Sequence, residues 1–545
     1  MEIANEYQSP RRYDGRRSGQ WVASKQTANR SVAKWILSVA MVSCQIFCRE
    51  PCLAEGGVFV LSTEDETLRQ PIASRMELFR PDGKPQVVRH VAGAGRGIVV
   101  SESVELTLPD GDYRFRFTRG PEYRIIQGTF SLERTSEDQR TVMLPRMVDM
   151  RSEGWISCDL AVPPATNDLR LRMMAEDLHF AAIVDAEVAP KFPAAIPVNL
   201  TPYKPQWSVD HLATSHDTNV IFYPAHESTI HRESNAAETS SQTIERMAKD
   251  EKIRIAVANP FAWELPVWIA SEQIDGIFVL GDWLREDKRV ERIVDGRPAS
   301  SIDFDGALGP GQYAEQIYWN LLEAGLRIAP LAGTGTKKGS ASKTPIGYNR
   351  VYVHGQKADF EESKVERLGG ATEVLEAVWN GCSVVTNGPM LRPTLGGFPP
   401  GHVFKSNAGE VMHLGMALEL AVRDEVEYLE IIHNGRSFHR ARLDEFAEAG
   451  GRLPEMIIKE SGWVIVRVVT AHKDHYRLAM SAPWYIEFDS KPRISREAVK
   501  FFGKWLVDTE NRLRQLPPVE LQAYVPAVTE ARRFWTQRFA DATED

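Results

Sequence analysis

The fold is decided by the stretch Glu153-Gly154-Trp155-Ile156-Ser157-Cys158-Asp159-Leu160-Ala161-Val162-Pro163, which predicts an apolar strand with unusual residues at its end. Alternate residues of a strand point to the same side, so Asp159, Ala161 and Pro163 share one side. Two histidines at the positions of Ala161 and Pro163 would be able to hold one metal ion together. Alanine has no donor atom, and proline has none either and fixes the backbone. Neither Ala161 nor Pro163 can therefore contribute a side-chain ligand to a metal ion at the end of this strand.

The size and charge of the chain restrict the classes of function. With 545 residues it is long enough for three or four domains. Its contents of 43% hydrophobic and 26% charged residues are typical of a soluble globular protein. The formal net charge of −9 disfavours nucleic acid and anionic membrane surfaces as partners, since both need a basic face.

Residues 1–54 differ in composition from the rest and predict a secretory signal. Basic residues outnumber acidic ones there, and the apolar run 35–47 is too short and too interrupted to span a bilayer. Cys52-Leu53-Ala54 then supplies small residues at the spacing of a signal-peptidase site. We expect export to the periplasm or the extracellular space, and no stable membrane span in the mature chain. The alternative is an uncleaved N-terminal membrane anchor.

Periodicity predicts four regions after the leader. Residues 55–148 are expected to form a small β-sandwich, because Asp110-Gly111 is a hairpin signal and the residues after it alternate between apolar and basic. Residues 149–382 alternate short apolar strands with amphipathic helices, which is typical of a parallel sheet. Residues 383–490 are again β-rich, and residues 491–545 predict a helical tail. Seven strands are predicted in the α/β region: Trp155–Val162, Ala181–Asp185, Asn219–Tyr223, Arg254–Ala258, Gly276–Leu280, Leu326–Leu331 and Arg350–His354.

Several segments in order resemble one enzyme family over most of residues 55–515. They are Gly154–Leu160, Met174–Phe180, Pro266–Ser271, Ala332–Thr336, Gly347–His354, Val385–Pro389 and Pro492–Ser495. On these segments the chain resembles the PHP-type (polymerase-and-histidinol-phosphatase-like) metallohydrolases of the carbaryl-hydrolase branch. The resemblance implies an α/β fold, a TIM-like (β/α)7 barrel flanked by N- and C-terminal β-sandwiches and followed by the helical tail. In such a barrel the site lies at the C-terminal ends of the strands.

The sequence departs from this family where its enzymes hold metal. The family motif Asp-Leu-His-x-His becomes Asp159-Leu160-Ala161-Val162-Pro163, and Ala332–Thr336 stands where Gly-Ser-Asp-x-His is expected. Asn259-Pro260 stands where His-Pro is common, and Asn is a weak substitute for imidazole on zinc. We therefore expect no metal cofactor and no family catalysis. The predicted function is that of a ligand-binding or scaffold protein. A structural or adhesive role is a further hypothesis, which rests only on the flanking β-sandwiches.

A metal-dependent hydrolase acting on a phosphoester, ester or carbamate is the alternative. Its fallback ligands are Asp159, Asp185, Glu187 and His226. Such an oxygen-rich set favours Mg²⁺, Ca²⁺ or Mn²⁺ over Zn²⁺, and a bound divalent cation would lower the pKa of a water molecule to create the nucleophile.

The expected ligand pocket lies at the barrel mouth. We assign to it Asn259, Trp263, Asp282, Thr334, Lys337, Asn349 and Arg350. Aromatic residues beside Pro266 would allow a carbohydrate or another small molecule to stack there, although buried packing is commoner for such residues. Cys158 and Cys382, the two cysteines after the leader, are expected to be buried free thiols.

Overall fold

The amino-terminal region forms two β-sheets that enclose one apolar core. The computed structural model describes residues 57–133, 137–163, 168–184, 207–209, 219–224, 238–293, 296–335, 343–355 and 371–544. The first eight strands are β1 (Gly57–Asp65), β2 (Ser74–Phe79), β3 (Gly93–Ala94), β4 (Gly97–Val100), β5 (Ser103–Leu108), β6 (Gly111–Thr118), β7 (Ile126–Leu132) and β8 (Glu137–Leu144). One sheet has the order β5-β1-β8 and the other β3-β4-β2-β6-β7. Leu61 and Leu106 from the first sheet pack with Met76 and Phe117 from the second, an arrangement compatible with the predicted sandwich.

The predicted hairpin at Asp110-Gly111 is wrong. Strand β5 pairs with β1, whereas β6 pairs with β2 and β7, so this turn carries the chain from one sheet to the other. The alternation predicted for β6 is confirmed, since Tyr113 and Phe117 are buried and Arg114 is exposed. A turn motif specifies the local bend of the chain, but it does not specify which strand the following segment pairs with. The pairing of β6 was therefore not predictable from the Asp-Gly turn.

The middle of the chain alternates strands and helices, as predicted. Its elements are β9 (Trp155–Val162), α1 (Leu169–Ala175), β10 (Phe180–Ile183), β11 (Trp207–Val209), β12 (Val220–Pro224), α2 (Ser240–Met247), β13 (Ile253–Val257), α3 (Leu265–Ala270), β14 (Gly276–Leu280), a 3-10 turn (Ala299–Ile302), α4 (Gly309–Glu323), β15 (Ala329–Ala332), β16 (Arg350–His354) and α5 (Ala371–Trp379). Strands β9, β14 and β16 have the predicted bounds, and the other four start within a few residues of the prediction. Every residue of β9 is buried. Gly325 stops α4 with the left-handed φ of 77° that glycine tolerates.

The remaining chain is β-rich and ends in two helices. Its elements are β17 (Ser383–Thr386), β18 (Met390–Leu395), β19 (Val403–Ser406), β20 (Met412–Leu414), β21 (Met416–Ala421), β22 (Val426–His433), β23 (Arg436–Ala441), α6 (Leu443–Glu448), β24 (Met456–Ile458), β25 (Gly462–Thr470), β26 (Leu478–Ser481), β27 (Trp484–Phe488), α7 (Arg496–Leu513) and α8 (Pro518–Ala540). Strand β25 lies between β26 and β22 and is buried throughout, which confirms its predicted central place. The helical tail is confirmed, with its break at Pro517-Pro518.

The seven strands predicted for a barrel divide between two sheets. Strands β9, β10 and β16 belong to a ten-stranded sheet that continues through β17 into the carboxy-terminal region, and β12 to β15 belong to a five-stranded sheet with β11. The expectation of an all-parallel arrangement is wrong, because β16 runs antiparallel to β9 and β12 antiparallel to β13. Within the described residues the fold is thus mixed α/β, and no closed barrel is seen. A continuous apolar run indicates burial on both faces, but it does not indicate strand direction.

The ten-stranded sheet has an apolar core on each face. The larger core contains Phe180, Trp268 and Trp505 and brings together the five-stranded sheet and helices α3, α4, α7 and α8. On the other face, Trp155 and Tyr352 pack with the two-stranded sheets β18-β21 and β20-β24.

The two cysteines of the described residues, Cys158 and Cys382, are buried free thiols, as expected. Across the part of the chain that the structure describes, no helix has both the length and the apolar character needed to cross a bilayer.

Candidate functional site

Asp159 lies near the end of β9 and is completely buried. Its Oδ1 accepts hydrogen bonds from the backbone N–H groups of Ala161 (3.1 Å) and Thr334 (3.0 Å). Its Oδ2 accepts from the Gly347 N–H (2.7 Å) and from the Thr334 hydroxyl. One carboxylate therefore connects β9 with the segment after β15 and the segment before β16.

The same hydrogen bonds determine the protonation of Asp159 and its capacity to bind a metal ion. Burial raises the pKa of Asp159 to about 6, although the hydrogen bonds from Thr334, Gly347 and Ala161 each act to lower it. An ionised carboxylate accepts about four hydrogen bonds, and Asp159 already receives four from the protein. Few lone pairs are left for a cation. The arrangement suits a carboxylate that holds three segments together better than it suits a metal ligand.

Gly333 packs against Ala161, the position of the first family histidine, and has no room for a side chain of its own. A Cβ atom added to Gly333 would lie 2.7 Å from the Ala161 nitrogen and 2.8 Å from the Ala161 Cβ. The Gly335 N–H donates to the Ala161 carbonyl over 2.8 Å. The segment after β15 therefore packs directly on β9, and Ala161 and Gly333 fit together because both are small.

Three of the predicted pocket residues come together next to this contact. The Asn349 Nδ2 donates to the carbonyls of Gly281 (2.8 Å), Leu284 (3.0 Å) and Gly333 (3.3 Å). The residue after Gly281 is Asp282, whose Cβ would lie 2.6 Å from a Cβ added to Gly335. Asp282, Thr334 and Asn349 thus surround the same turn after β15.

Three other predicted pocket residues, Trp263, Arg350 and Asn259, do not line the turn after β15. The Arg512 guanidinium of α7 covers the Trp263 ring at 4.4 Å, so Trp263 belongs to the contact with the carboxy-terminal helices. Arg350 donates to the carbonyls of Gly347 (2.5 Å) and Glu176 (3.1 Å), on the opposite side of β16 from Asn349.

The side chain of Asn259 makes hydrogen bonds to residues next to it and thereby stabilises the turn in which it lies. Its amide donates to the Asn219 side chain over 2.9 Å, and its Oδ1 accepts from the Phe261 N–H over 3.1 Å.

The seventh predicted pocket residue, Lys337, lies outside the described residues, and so do three of the fallback metal ligands, Asp185, Glu187 and His226. The prediction that they could form an oxygen-rich site with Asp159 therefore stays a prediction. Among the residues that are described, no group of three or more His, Cys, Asp or Glu side chains is placed to share a metal ion.

A buried ionic cluster joins the amino-terminal sheets to the α/β region, and the sequence did not reveal it. Arg75 of β2 contacts Glu176 (2.6 Å), Glu77 (2.7 Å) and Glu286 (3.2 Å). Burial alone lowers the pKa of Arg75, but the carboxylates of Glu176, Glu286 and Glu77 outweigh it and raise the pKa above its usual value. Its partners are up to 211 residues away in the chain, so local patterning carried no signal.

His179 is another buried polar residue beside β9. Its Nδ1 lies 3.3 Å from the Ser157 N–H and 2.8 Å from the Ser157 hydroxyl. Burial lowers the pKa of His179 to about 4, and nearby Arg151, Arg350 and Arg119 add to this, against the opposing charge of Asp177. Protonation of Nδ1 would set its N–H against the N–H of Ser157, so the folded protein favours the neutral ring.

We expect His179 to make the protein sensitive to mild acid. Its pKa falls from 6.5 to about 4 on folding, so the stability that it contributes is present above pH 6.5 and is lost as the pH falls towards 4. Between about pH 7.5 and 5 the loss should be roughly 2 kcal/mol. Urea unfolding of the wild type and of His179→Gln at both pH values measures it, and the variant should lose that part of the pH dependence. The exposed His413→Gln is the control; an unchanged pH dependence in His179→Gln would contradict the assignment.

Comparisons with known proteins give no family for this chain. No protein-family model matches it, and none of the curated proteins does. Among solved structures it is similar to GBS52, the minor pilin of the Gram-positive pathogen Streptococcus agalactiae, at 17% identity over 17% of this chain, with a TM-score of 0.15. The match spans 44% of that pilin, less than half of its length.

Proposed function

We propose that this chain is an exported relative of the PHP-type metallohydrolases that has lost its catalytic metal site and acts as a ligand-binding or scaffold protein. The observation that carries the proposal is the state of Asp159, whose two oxygens receive four hydrogen bonds from three segments. The close contact of Gly333 with Ala161 supports it, because the segment after β15 packs directly on the position where the family has its first histidine. In this proposal the buried carboxylate of Asp159 holds together the three segments at the end of the strand where the family enzymes have their metal ligands.

The proposal extends to the architecture. We infer that the two sheets of the α/β region correspond to a rearranged (β/α)7 barrel. Strands β9 and β15 belong to different sheets, yet the Gly335 N–H donates to the Ala161 carbonyl and Thr334 binds Asp159. These contacts support the adjacency that a barrel requires at this point, with the flanking sheets in the places of two sandwiches.

A small or carbohydrate-like ligand would bind near Asp282, Thr334 and Asn349. Asn349 is completely buried, and its Oδ1 accepts no hydrogen bond from the described residues. A buried acceptor without a partner is costly, which favours a polar group or a water molecule at that position.

Hydrolysis assays test the loss of catalysis. We expect the chain without residues 1–54 to show no turnover of phosphoester, ester or carbamate substrates, whether it is assayed after chelation or after addition of Mg²⁺, Mn²⁺ or Zn²⁺. The chelated protein is the control for each metal. Turnover that appears with one metal and disappears on chelation would contradict the proposal and would support the alternative oxygen-rich site.

A further inference from the structure

Two histidines lie side by side in the loop between β25 and β26. The rings of His472, which is exposed, and His475, which is half-buried, have centres 5.0 Å apart and planes tilted by 59°. We propose that these two residues, the histidine pair, bind one divalent ion of a later first-row transition metal, with Cu²⁺ held most tightly. This goes beyond the proposed function and does not depend on the loss of the metal site at β9.

The separation of the two rings fits a shared metal ion. Imidazole nitrogens bind such an ion at about 2.0–2.1 Å, and two imidazoles on one tetrahedral ion then have ring centres about 5 Å apart. The observed separation is 5.0 Å. The histidine pair therefore already has the spacing that a shared ion needs, and no movement of the backbone is required to reach it.

The loop that carries the pair is closed at its base and anchored to the body of the protein. The Thr470 N–H donates to the Arg477 carbonyl over 3.0 Å, which closes the loop. Tyr476 is buried, and its hydroxyl donates to Glu315 of α4 over 2.7 Å. The two histidines are thus held near each other before a metal arrives, and ligands that are held in this way lose little conformational freedom on binding.

The ring nitrogens of the pair are available to a metal. His475 makes no hydrogen bond to the described residues. Burial, followed by the charges of His472 and Arg477, lowers the pKa of His475, so its ring is neutral at pH 7, the form that binds metal. His472 accepts one exposed hydrogen bond at Nδ1, from the Asp474 N–H over 3.3 Å. This bond is long, and a metal ion at Nδ1 would replace it.

The type of ligand selects the metal. Imidazole suits Cu²⁺, Ni²⁺ and Zn²⁺, whereas Mg²⁺ and Ca²⁺ require oxygen ligands. The carboxylate of Asp474, which lies between the two histidines in sequence, is bound to Arg289 over 3.3 Å. Within the described residues no set of three His, Cys, Asp or Glu side chains can hold a metal, so water fills the other positions on the ion. Cu²⁺ should bind more tightly than Ni²⁺ or Zn²⁺, as it does at most nitrogen sites.

Isothermal titration of the full chain with Cu²⁺ and with Ni²⁺, after accessible thiols have been blocked with N-ethylmaleimide, tests the proposal. We expect saturable binding of both ions by the wild type, with Cu²⁺ the tighter. His472→Gln and His475→Gln should each weaken binding by about tenfold or more, because even the loss of a residue that only supports a metal ligand costs about 10–100-fold. His413→Gln is the matched control, since His413 is an exposed histidine beside Glu455 (3.1 Å), and it should leave both affinities unchanged.

Electron paramagnetic resonance of the wild type with one equivalent of Cu²⁺ is an independent measurement, and it should show coupling to imidazole nitrogen that weakens in each variant. Two titration results would overturn the proposal: no saturable binding of either ion by the wild type, or unchanged affinities in both His472→Gln and His475→Gln. Circular dichroism establishes that each variant is folded. Should a variant fail to fold, the resonance spectrum of the wild type decides, with the absence of nitrogen coupling as the contrary result.

The outcome is separate from that of the experiments on β9. Asp159→Asn should bind Cu²⁺ as the wild type does, because the histidine pair does not include Asp159; loss of Cu²⁺ binding in Asp159→Asn would contradict the assignment to the pair. A Zn²⁺ ion held by only two protein ligands should be released during gel filtration, because firmly bound zinc has three or four.

Discussion

Replacing Arg75 by methionine should lower the free energy of unfolding by about 3–5 kcal/mol, since removal of one member of a buried ion cluster leaves its partners buried and unpaired. Methionine has a similar length, so the apolar packing of the side chain is largely kept. The carboxylates of Glu77, Glu176 and Glu286 would then lie close together without the arginine that all three contact. Urea unfolding monitored by tryptophan fluorescence measures the loss.

Two further variants make this prediction specific. Arg533→Met removes an arginine whose ion pair with Glu530 is largely exposed, and it should leave the urea midpoint nearly unchanged. Glu176→Gln in combination with Arg75→Met should recover part of the stability, because one uncompensated charge disappears. A small effect of Arg75→Met, comparable to that of Arg533→Met, would mean that the cluster does not hold the amino-terminal sheets to the α/β region.

Replacing Asp159 by alanine should destabilise the protein by roughly 3–5 kcal/mol, because several buried donors lose their acceptor at once. The affected groups are the backbone N–H groups of Ala161, Thr334 and Gly347 and the hydroxyl of Thr334. Asp159→Asn should be milder, since its amide oxygen can still accept from two of them. The urea midpoint gives the size of the effect, and hydrogen exchange at Thr334 and Gly347 gives its location.

The chain offers a matched control for Asp159. Asp82 accepts a hydrogen bond from the N–H two residues later, as Asp159 does, but Asp82 lies in an exposed turn. Asp82→Ala should leave both the urea midpoint and the hydrogen exchange at Thr334 and Gly347 unchanged. If Asp159→Ala behaved like Asp82→Ala, the carboxylate would not be holding the segments together.

Local features of the fold were predictable from sequence. The bounds of β9, β14 and β16 followed from apolar runs between turn residues, and the end of α4 followed from Gly325. The central position of β25 followed from its unbroken apolar sequence. In each case the signal lies within a few consecutive residues, which is the range over which periodicity and propensity act.

Features that depend on distant partners were not predictable in this way. The division of the strands between two sheets and the crossover at Asp110-Gly111 depend on pairing, which one strand's sequence does not encode. The sequence drew attention to Asp159 as a possible metal ligand, but its four donors come from residues up to 188 positions away.

The most direct test of the central claim, that β9 no longer supports a metal site, is the metal content of the purified chain without residues 1–54. Elemental analysis after exposure to Mg²⁺, Mn²⁺ and Zn²⁺ followed by gel filtration should find far less than one equivalent of any of them. One tightly held equivalent in the wild type that is lost in Asp159→Asn would contradict the account, because it would make Asp159 a ligand.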